Sequence, residues 1–568
     1  MARTLIGRLE AAALRYIDAA LAGSPHPWSS GPDAPGAAFG VLGGDGLVVA
    51  GGRGTASTAT HSAPTEHTVF RIASMTKSFT AAAVLRLRDR GVLGLDDPIT
   101  RWVPEATGFT AAGLPPPTLD QLLAMTAGLA EDDPLGDRLQ GMPPGEFDTM
   151  LAAPVAPARS PGSFEYSNFG YALIGRAISN ATGQPFADYV TEHLIAPLGM
   201  TATTWTVPSV MAAGYVWRDG RWCAEPVDGP GAFGAMGGLF SSVADVARWV
   251  RFLMGTGEPG VLSLASRREL AVMRTPRPAV RPSGSGPHFA PLAAAYGYGL
   301  NAALSPVLGR VVWHSGGYPG FGSSMVWLAE RGVGLVILMN GRYAPATRIA
   351  MDVLHEAVAQ PLEVAPGAAA VPTPADTVVA HPSFVAIRER VTALLDDLPA
   401  DVPVAMNVEL DEPWERRRWS LRHARAVLGA APSLTETVMT SALHGRWRLA
   451  GQRGDAELTM MVTPTEPVQL MALDVDVAVH PSRALDDARR ALAAVWNAAA
   501  DGARPLPPWD NMAGVARVAG RMTGEPVVVD GDGVTWAQWR VSTVAGSWLV
   551  GVVLDASDSP ATVHAGPA

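Results

Sequence analysis

The sequence predicts an α+β protein in two parts: a first domain built on one antiparallel sheet, flanked by helices and carrying a helical lobe, then a separate α+β domain. Three observations predict it. Strand patterns stand at both ends of residues 1–362 with mainly helical patterns between them. A Pro/Ala-rich stretch without helical periodicity, "EVAPGAAAVPTPAD", follows and reads as a linker over 363–378. Beyond it, over 379–568, helical and strand patterns begin again, enough for an independent domain of undefined role.

Taken in order, "MARTLIGRLEAAALRYIDAALAGS" resembles a leader until Arg8, Glu10, Arg15 and Asp18 interrupt the apolar run, which makes it an amphipathic helix. "AAFGVLGGDGLVVAGG" is a β-hairpin turning at Gly43–Gly46. A helix is expected from Ser74 to Arg90, stopping at Gly91. "FADYVTEHLIAPLGM" and "SSVADVARWVRFLM" are amphipathic helices, the second opening on capping residues. "GRVVWHSGG", "GSSMVWLAE" and "GVGLVILMNG" are strands separated by glycine turns, and "PATRIAMDVLHEAVAQ" closes the domain as a helix. One sheet drawn from both ends, with the terminal helices on one face and the helical lobe on the other, is the economical packing, and the crevice beside the lobe is where a site forms. In the second part the triplet His-Pro-Ser opens a helix at both His381 and His480, which hints at a duplicated unit and which chance and shared helix-start chemistry explain about as well.

Hydrophobic residues make up 48% and charged residues 17%, the balance of a folded globular chain. A net charge of −10 disfavours nucleic acid as a partner. The one cysteine, Cys223, excludes an intramolecular disulfide and a cysteine-built metal site, and the 12 histidines show no metal-ligand spacing, so no metal or cofactor is expected. No run reaches the 18 or so apolar residues that span a bilayer, and a cytoplasmic location without membrane contact is expected. Homo-oligomerisation through the second domain is left open.

The chain has 43 Lys and Arg together, and a single lysine, Lys77, in "RIASMTKSFT". Arginine stays protonated in proteins, whereas a buried lysine can release its proton near neutrality. Ser74 lies three residues earlier, on the same helix face and at the positive end of the helix dipole, where an activated serine nucleophile is chemically reasonable. Ser-x-x-Lys alone is a weak signal. Two further stretches join it: "FEYSNFGYALIG", with Tyr166 and Asn168 two apart, and "VVWHSGGYPGFGSS", with His314, Ser315, Gly316 and Gly317 at a strand end. Singly, these read as helix-capping material and as a glycine-rich hairpin turn.

In this order the three stretches resemble the active-site triple of the serine β-lactamase and penicillin-binding-protein superfamily, in the Tyr-x-Asn form of its class C-like branch of esterases and D-aminopeptidases. "LGLDDPITRWVPE", "LLAMTAGL", "GYALIGRAI", "APLGMTATTW" and "GGLFSSVADVARWV" are similar to the same family, over about residues 5 to 360. The resemblance implies a β-lactamase-like fold for the first domain. It implies Ser74 as acylated nucleophile, Lys77 as its proton acceptor or as the group tuning Tyr166, and Tyr166 as general base. Asn168 would hold Lys77 and the acyl amide, and the backbone N–H groups of Ser74 and Gly317 would form the oxyanion hole. His314 stands where β-lactamases usually carry lysine, which resembles the His-x-Gly form and argues against recognition of a β-lactam carboxylate.

The implied activity is that of a serine hydrolase acting through an acyl-Ser74 intermediate on esters, amides or small peptides, D-amino-acid-containing peptides included. A β-lactamase, an acyltransferase or peptide cyclase, and a catalytically silent binding protein are the alternatives. Other conspicuous groups are assigned bland roles: Glu165 a solvated loop carboxylate, "ERRRWSLRHAR" a charged helix face, and Trp313, Tyr318 and Phe321 either pocket lining or sheet packing.

Overall fold

The computed structural model describes residues 2–22, 32–133, 135–218, 220–229, 231–258, 260–276, 291, 293–358, 378–395, 402–429, 432–479, 483–503, 505, 508–524, 526–531, 536–543, 546–554 and 559–567. They fall into two compact units: Met1–Val378 with Thr463–Gln469, and Val379–Val462 with Leu470–Ala568. The linker expected over 363–378 lies outside the described residues except for Val378. Residues 463–469, expected in the second domain, group with the first unit, where Ala156 N–H donates to the Pro464 carbonyl at 2.8 Å.

The first unit is organised by an eight-stranded antiparallel sheet. Its strands in chain order are β1 (Gly36–Gly43), β2 (Gly46–Gly54), β3 (Thr275–Pro276), β4 (Ala293–Tyr296), β5 (Asn301–Ser305), β6 (Gly309–Tyr318), β7 (Phe321–Leu328) and β8 (Val333–Met339). The spatial order is β2-β1-β8-β7-β6-β5-β4-β3, so the N-terminal hairpin joins the C-terminal strands through β1 and β8, with Ala37 opposite Met339 and Val41 opposite Leu335. This is the sheet built from both ends that the sequence pattern predicts. Strands β7 and β8 are buried along their whole length, which is why they read as continuous apolar runs.

Helix α1 (Ala2–Ala22) places Leu9, Ala13 and Ile17 at four-residue intervals on one face, and these pack with Ile349, Val353 and Leu354 of α5 (Ala346–Val358) against Phe39 and Ile337 of the sheet. A second core holds α2 (Thr76–Asp89), α3 (Asn168–Thr182) and α4 (Val243–Leu253). In it Trp249 of α4 stacks on Phe79 of α2 at 3.9 Å and donates its indole N–H to Ser78 Oγ at 2.9 Å. Ser242 caps α4 by accepting from Asp245 N–H.

Three expectations are corrected. The run expected as one helix from Phe186 is α-helical only over Phe186–Val190 and continues as a π-helical turn over Thr191–Ile195. The "HSGG" stretch is not a turn: β6 runs on to Tyr318, and the chain reverses at Pro319-Gly320, Gly320 having φ +89°. Glu165 is not solvated. It is buried and paired with Arg159 at 2.7 Å, because a carboxylate taken out of water needs a cation.

The second unit repeats one architecture. Helices α6 (Pro382–Leu394) and α7 (Trp414–Leu428) precede the meander β9 (Ser433–Ser441), β10 (His444–Ala450), β11 (Gly454–Val462), β12 (Leu470–Val479). Helices α8 (Arg483–Ala500) and α9 (Ala513–Ala519) precede β13 (Val527–Gly531), β14 (Trp536–Thr543), β15 (Gly546–Leu554), β16 (Pro560–Pro567). The second helix of each half ends on a glycine of nearly the same conformation, Gly429 (φ 80°, ψ −163°) and Gly520 (φ 78°, ψ −174°). The second strand of each meander carries a fully buried tryptophan, Trp447 and Trp539. These shared features favour duplication over chance. His381 caps α6, while His480 lies outside the described residues. The charged face expected on α7 is incomplete, since Arg417 turns inward and donates to the Leu473 and Val408 carbonyls at 2.7 and 3.0 Å.

Candidate active site

The chain reaches Ser74 through a short ladder, Phe70–Arg71 pairing with Phe240–Ser241, and then a strained turn. Ala73 has φ +46°, a left-handed conformation that L-residues with a Cβ seldom adopt, and Ala73–Met75 form a 3₁₀ turn before α2 begins at Thr76. The helix thus starts two residues later than the pattern indicated, and Ser74 sits in the tight turn that feeds it. Strand β6 passes hard against this turn at Gly316, where a Cβ would stand 2.3 Å from the Ile72 carbonyl oxygen. Only glycine permits that approach. Ser323 Oγ of β7 donates to the same carbonyl at 2.9 Å and ties the sheet to the turn.

One helical turn beyond Ser74, Lys77 is fully buried. Its Nζ donates to Ser74 Oγ at 3.0 Å, Asn168 Oδ1 at 2.7 Å and the Met236 carbonyl at 2.9 Å, an acceptor for each N–H of the ammonium form. The rings of Tyr166 and Tyr171 stand 4.8 and 5.7 Å from the same nitrogen. Burial disfavours the charge and lowers the Lys77 pKa to about 8, while Asp133, Asp137 and Asp132 oppose the shift. The amine thus gives up its proton at a much lower pH than an exposed lysine does.

Tyr166 is half-buried and its hydroxyl is hydrogen-bonded to Ser74, so Ser74 has Lys77 and Tyr166 as neighbours. Burial holds the phenol well above its ordinary range, reinforced by Tyr296 and Asp133, with the Ser74 bond working against it. Asn168 opens α3 and is not its cap. Ser167 caps the helix by accepting from Gly170 N–H, which frees the Asn168 side chain to reach Lys77 with Oδ1 and Asp133 with Nδ2.

His314 is buried on β6. Its Nδ1 lies 2.6 Å from the Ser315 carbonyl, which can only accept, and its Nε2 lies 3.1 Å from Tyr296 Oη. The Tyr296 ring meets both His314 and Tyr166 edge to face, at 6.0 and 6.3 Å. Tyr296 thus links His314 by a hydrogen bond and Tyr166 by a ring contact. Ser315 is exposed, and Gly317 lies under the Tyr343 ring, where a Cβ would come within 2.7 Å of Tyr343 Cδ1. Tyr318 and Phe321 are buried: Tyr318 stacks on the Arg71 guanidinium at 4.4 Å, and Phe321 belongs to the second core.

The structure adds groups the motifs did not name. Asp132 accepts from the Asn168 and Phe169 N–H groups at 2.7 and 2.8 Å and so fixes the start of α3. Its pKa rises to about 7, mainly by burial and then by Asp133, against those two bonds. Asp137 accepts from Tyr343 Oη at 3.0 Å, and burial holds its pKa well above the carboxylate range. The legible signal was "EDDPLGD", three aspartates in six residues, the last of them in a short helix over Leu135–Arg138. The Met236 carbonyl left no signal, because any residue supplies one. Among the described residues no cluster of histidine, cysteine, aspartate or glutamate could hold a metal ion, and no helix is long and apolar enough to cross a membrane.

The profile of the Beta-lactamase family matches residues 17–360. Esterase EstB of Burkholderia gladioli is 30% identical over 51% of this chain and 83% of its own length. The D-alanyl-D-alanine-carboxypeptidase/endopeptidase AmpH of Escherichia coli K12 is 27% identical over 50% of this chain and 74% of its own. An octameric penicillin-binding protein homologue from Pyrococcus abyssi shares the fold over 97% of this chain and 96% of its own, with a TM-score of 0.51 and 17% identity. With its sheet, helical lobe and Ser74–Lys77–Tyr166 cluster, the chain belongs to the Beta-lactamase family and to the hydrolases of the serine β-lactamase superfamily.

Proposed function

We propose that the protein hydrolyses esters, amides or small peptides through an acyl-Ser74 intermediate, with D-amino-acid-containing peptides among its substrates. The observation that carries the reading is the buried Lys77 Nζ at 3.0 Å from Ser74 Oγ. In acylation the neutral Lys77 amine accepts the Ser74 proton as Oγ bonds to the substrate carbonyl carbon. Tyr166, kept as a neutral phenol by burial, passes a proton to the leaving group as its bond to that carbon breaks. Lys77 returns its proton to Tyr166; water then attacks the acyl carbon, the Lys77–Tyr166 pair takes the proton the water loses, and the pair delivers a proton to Ser74 Oγ as the acyl–Oγ bond breaks. Asn168 holds Lys77 and contacts the acyl amide, while the Ser74 and Gly317 N–H groups receive the developing oxyanion. Ser315, Gly316 and Gly317 line the substrate strand, and His314 orients Tyr296 behind Tyr166.

The names of the relatives, an esterase and a carboxypeptidase/endopeptidase, support ester and peptide substrates. Histidine at position 314 supports these over β-lactams. A cytoplasmic location and self-association belong to the same reading. The test is p-nitrophenyl butyrate turnover with intact-mass detection of the acyl-enzyme. Wild type is expected to hydrolyse the ester and gain one butyryl group on Ser74, and Ser74→Ala to do neither. Turnover unchanged in Ser74→Ala overturns the proposal.

A further inference from the structure

The two N–H groups that receive the developing oxyanion belong to different segments, Ser74 to the turn ahead of α2 and Gly317 to β6. Such donors stabilise charge only when both converge on one oxygen, at about 2.7–3.1 Å. The turn and the strand must therefore be held at a fixed spacing. The close approach at Gly316 and the Ser323 bond to the Ile72 carbonyl make one tie between them. A single tie leaves the turn free to pivot.

Arg71 supplies a second tie. It lies three residues before Ser74, opposite Phe240 in the short ladder, and is 0% exposed. Its guanidinium carbon stands 4.4 Å from the centre of the Tyr318 ring and 4.6 Å from that of Phe240. Tyr318 follows Gly317 directly on β6. Arg71 Nη1 donates to the Asp228 carbonyl at 3.2 Å, and the Tyr318 hydroxyl donates to the carboxylate of the same Asp228 at 3.0 Å. The three residues close a triangle, with the approach to Ser74 at one corner and the end of the substrate strand at another.

Stability alone does not explain the arginine. Its Nε and Nη2 are buried without hydrogen-bond partners. A buried charge with unmet donors is destabilising, and an apolar side chain of similar volume would fill the space with less penalty. What the guanidinium adds is geometry, because a flat cation attracts ring faces at a set distance while its edge reaches a carbonyl.

Resting on the proposal that Ser74 carries the acyl group and that the Ser74 and Gly317 N–H groups receive the oxyanion, we propose that Arg71 is a positioning residue: with Tyr318 and Asp228 it holds the Ser74 turn at the spacing from β6 at which the two N–H groups converge. It touches no reacting atom and acts through the backbone of the turn.

The experiment is carried out on the full chain with p-nitrophenyl butyrate. Arg71→Met and Tyr318→Leu are each expected to lower kcat about tenfold or more, with KM changed by less than about twofold, because misplaced oxyanion donors are felt in the transition state and not in the ground state. n-Butylboronic acid reads the same geometry: Ser74 Oγ bonds to boron, the serine proton passes to Lys77, and a boron hydroxyl takes the oxyanion position. Its Ki is expected to rise in step with the fall in kcat/KM. Tyr318→Phe, which keeps the ring on Arg71, is expected to lose severalfold less than Tyr318→Leu. A rise in KM at unchanged kcat, a boronate Ki equal to that of wild type in both variants, or equal losses in Tyr318→Phe and Tyr318→Leu overturns the inference. Should Arg71→Met fail to fold, the two Tyr318 variants carry the same comparison. If Ser74→Ala is inactive while Arg71→Met and Tyr318→Leu match wild type, the inference alone falls. If Ser74→Ala still hydrolyses the ester, or wild type does not, the acyl-serine reading falls with it.

Discussion

Lys77 and His314 are both buried nitrogen bases, one on the α2 wall of the cleft and one on the β6 wall, and their surroundings give them different work. Lys77 bonds the nucleophile directly at 3.0 Å, and burial lowers its pKa to about 8. His314 has one nitrogen at the Ser315 carbonyl and the other at the Tyr296 hydroxyl, and the Tyr296 ring meets Tyr166 edge to face. A buried base takes part in chemistry when a bond connects it to the reacting atom. When its bonds end on the scaffold, it orients others.

Substitution at Lys77 is expected to have the largest effect. Lys77→Arg keeps the charge but removes the group able to give up a proton, and kcat for p-nitrophenyl butyrate is expected to fall by about two orders of magnitude or more, with the fold checked by circular dichroism. Asp132→Ala tests how the lysine wall is held. It leaves the Asn168 and Phe169 N–H groups without their acceptor, and a denaturant titration is expected to show a loss of about 1–3 kcal/mol, accompanied by a smaller drop in kcat than at Lys77. His314→Gln probes the other wall and is expected to give the smallest effect, a loss in kcat of less than about tenfold, because Tyr296 remains packed against Tyr166. A loss at His314 as large as at Lys77 would erase the distinction between the two walls.

The uneven legibility of the site has physical causes. Ser74, Lys77, Tyr166 and Asn168 stand out because their chemistry restricts residue type, and the lone lysine among arginines marks the restriction. The sheet was legible from β7 and β8, which are buried on both faces and cannot alternate. Tyr296 and Asp137 were not, because their roles arise from long-range packing, with Tyr296 reaching His314 across 18 positions and Asp137 reaching Tyr343 across 206. The internal repeat of the second unit was only hinted at by His-Pro-Ser. Its firmer marks are conformational and spatial, the paired glycines 429 and 520 and the buried tryptophans 447 and 539, and neither mark is visible in a short motif.

Whether neutral Lys77 takes the Ser74 proton is read from the pH dependence of the single-turnover acylation rate with p-nitrophenyl butyrate. Burial lowers the lysine to about 8, so the amine is mostly protonated below that pH and mostly neutral above it. The rate is expected to rise with pH through an inflection near 8 to a plateau, and the inflection to disappear from the residual rate of Lys77→Arg. A rate independent of pH across this range, or the same inflection in Lys77→Arg, would contradict it.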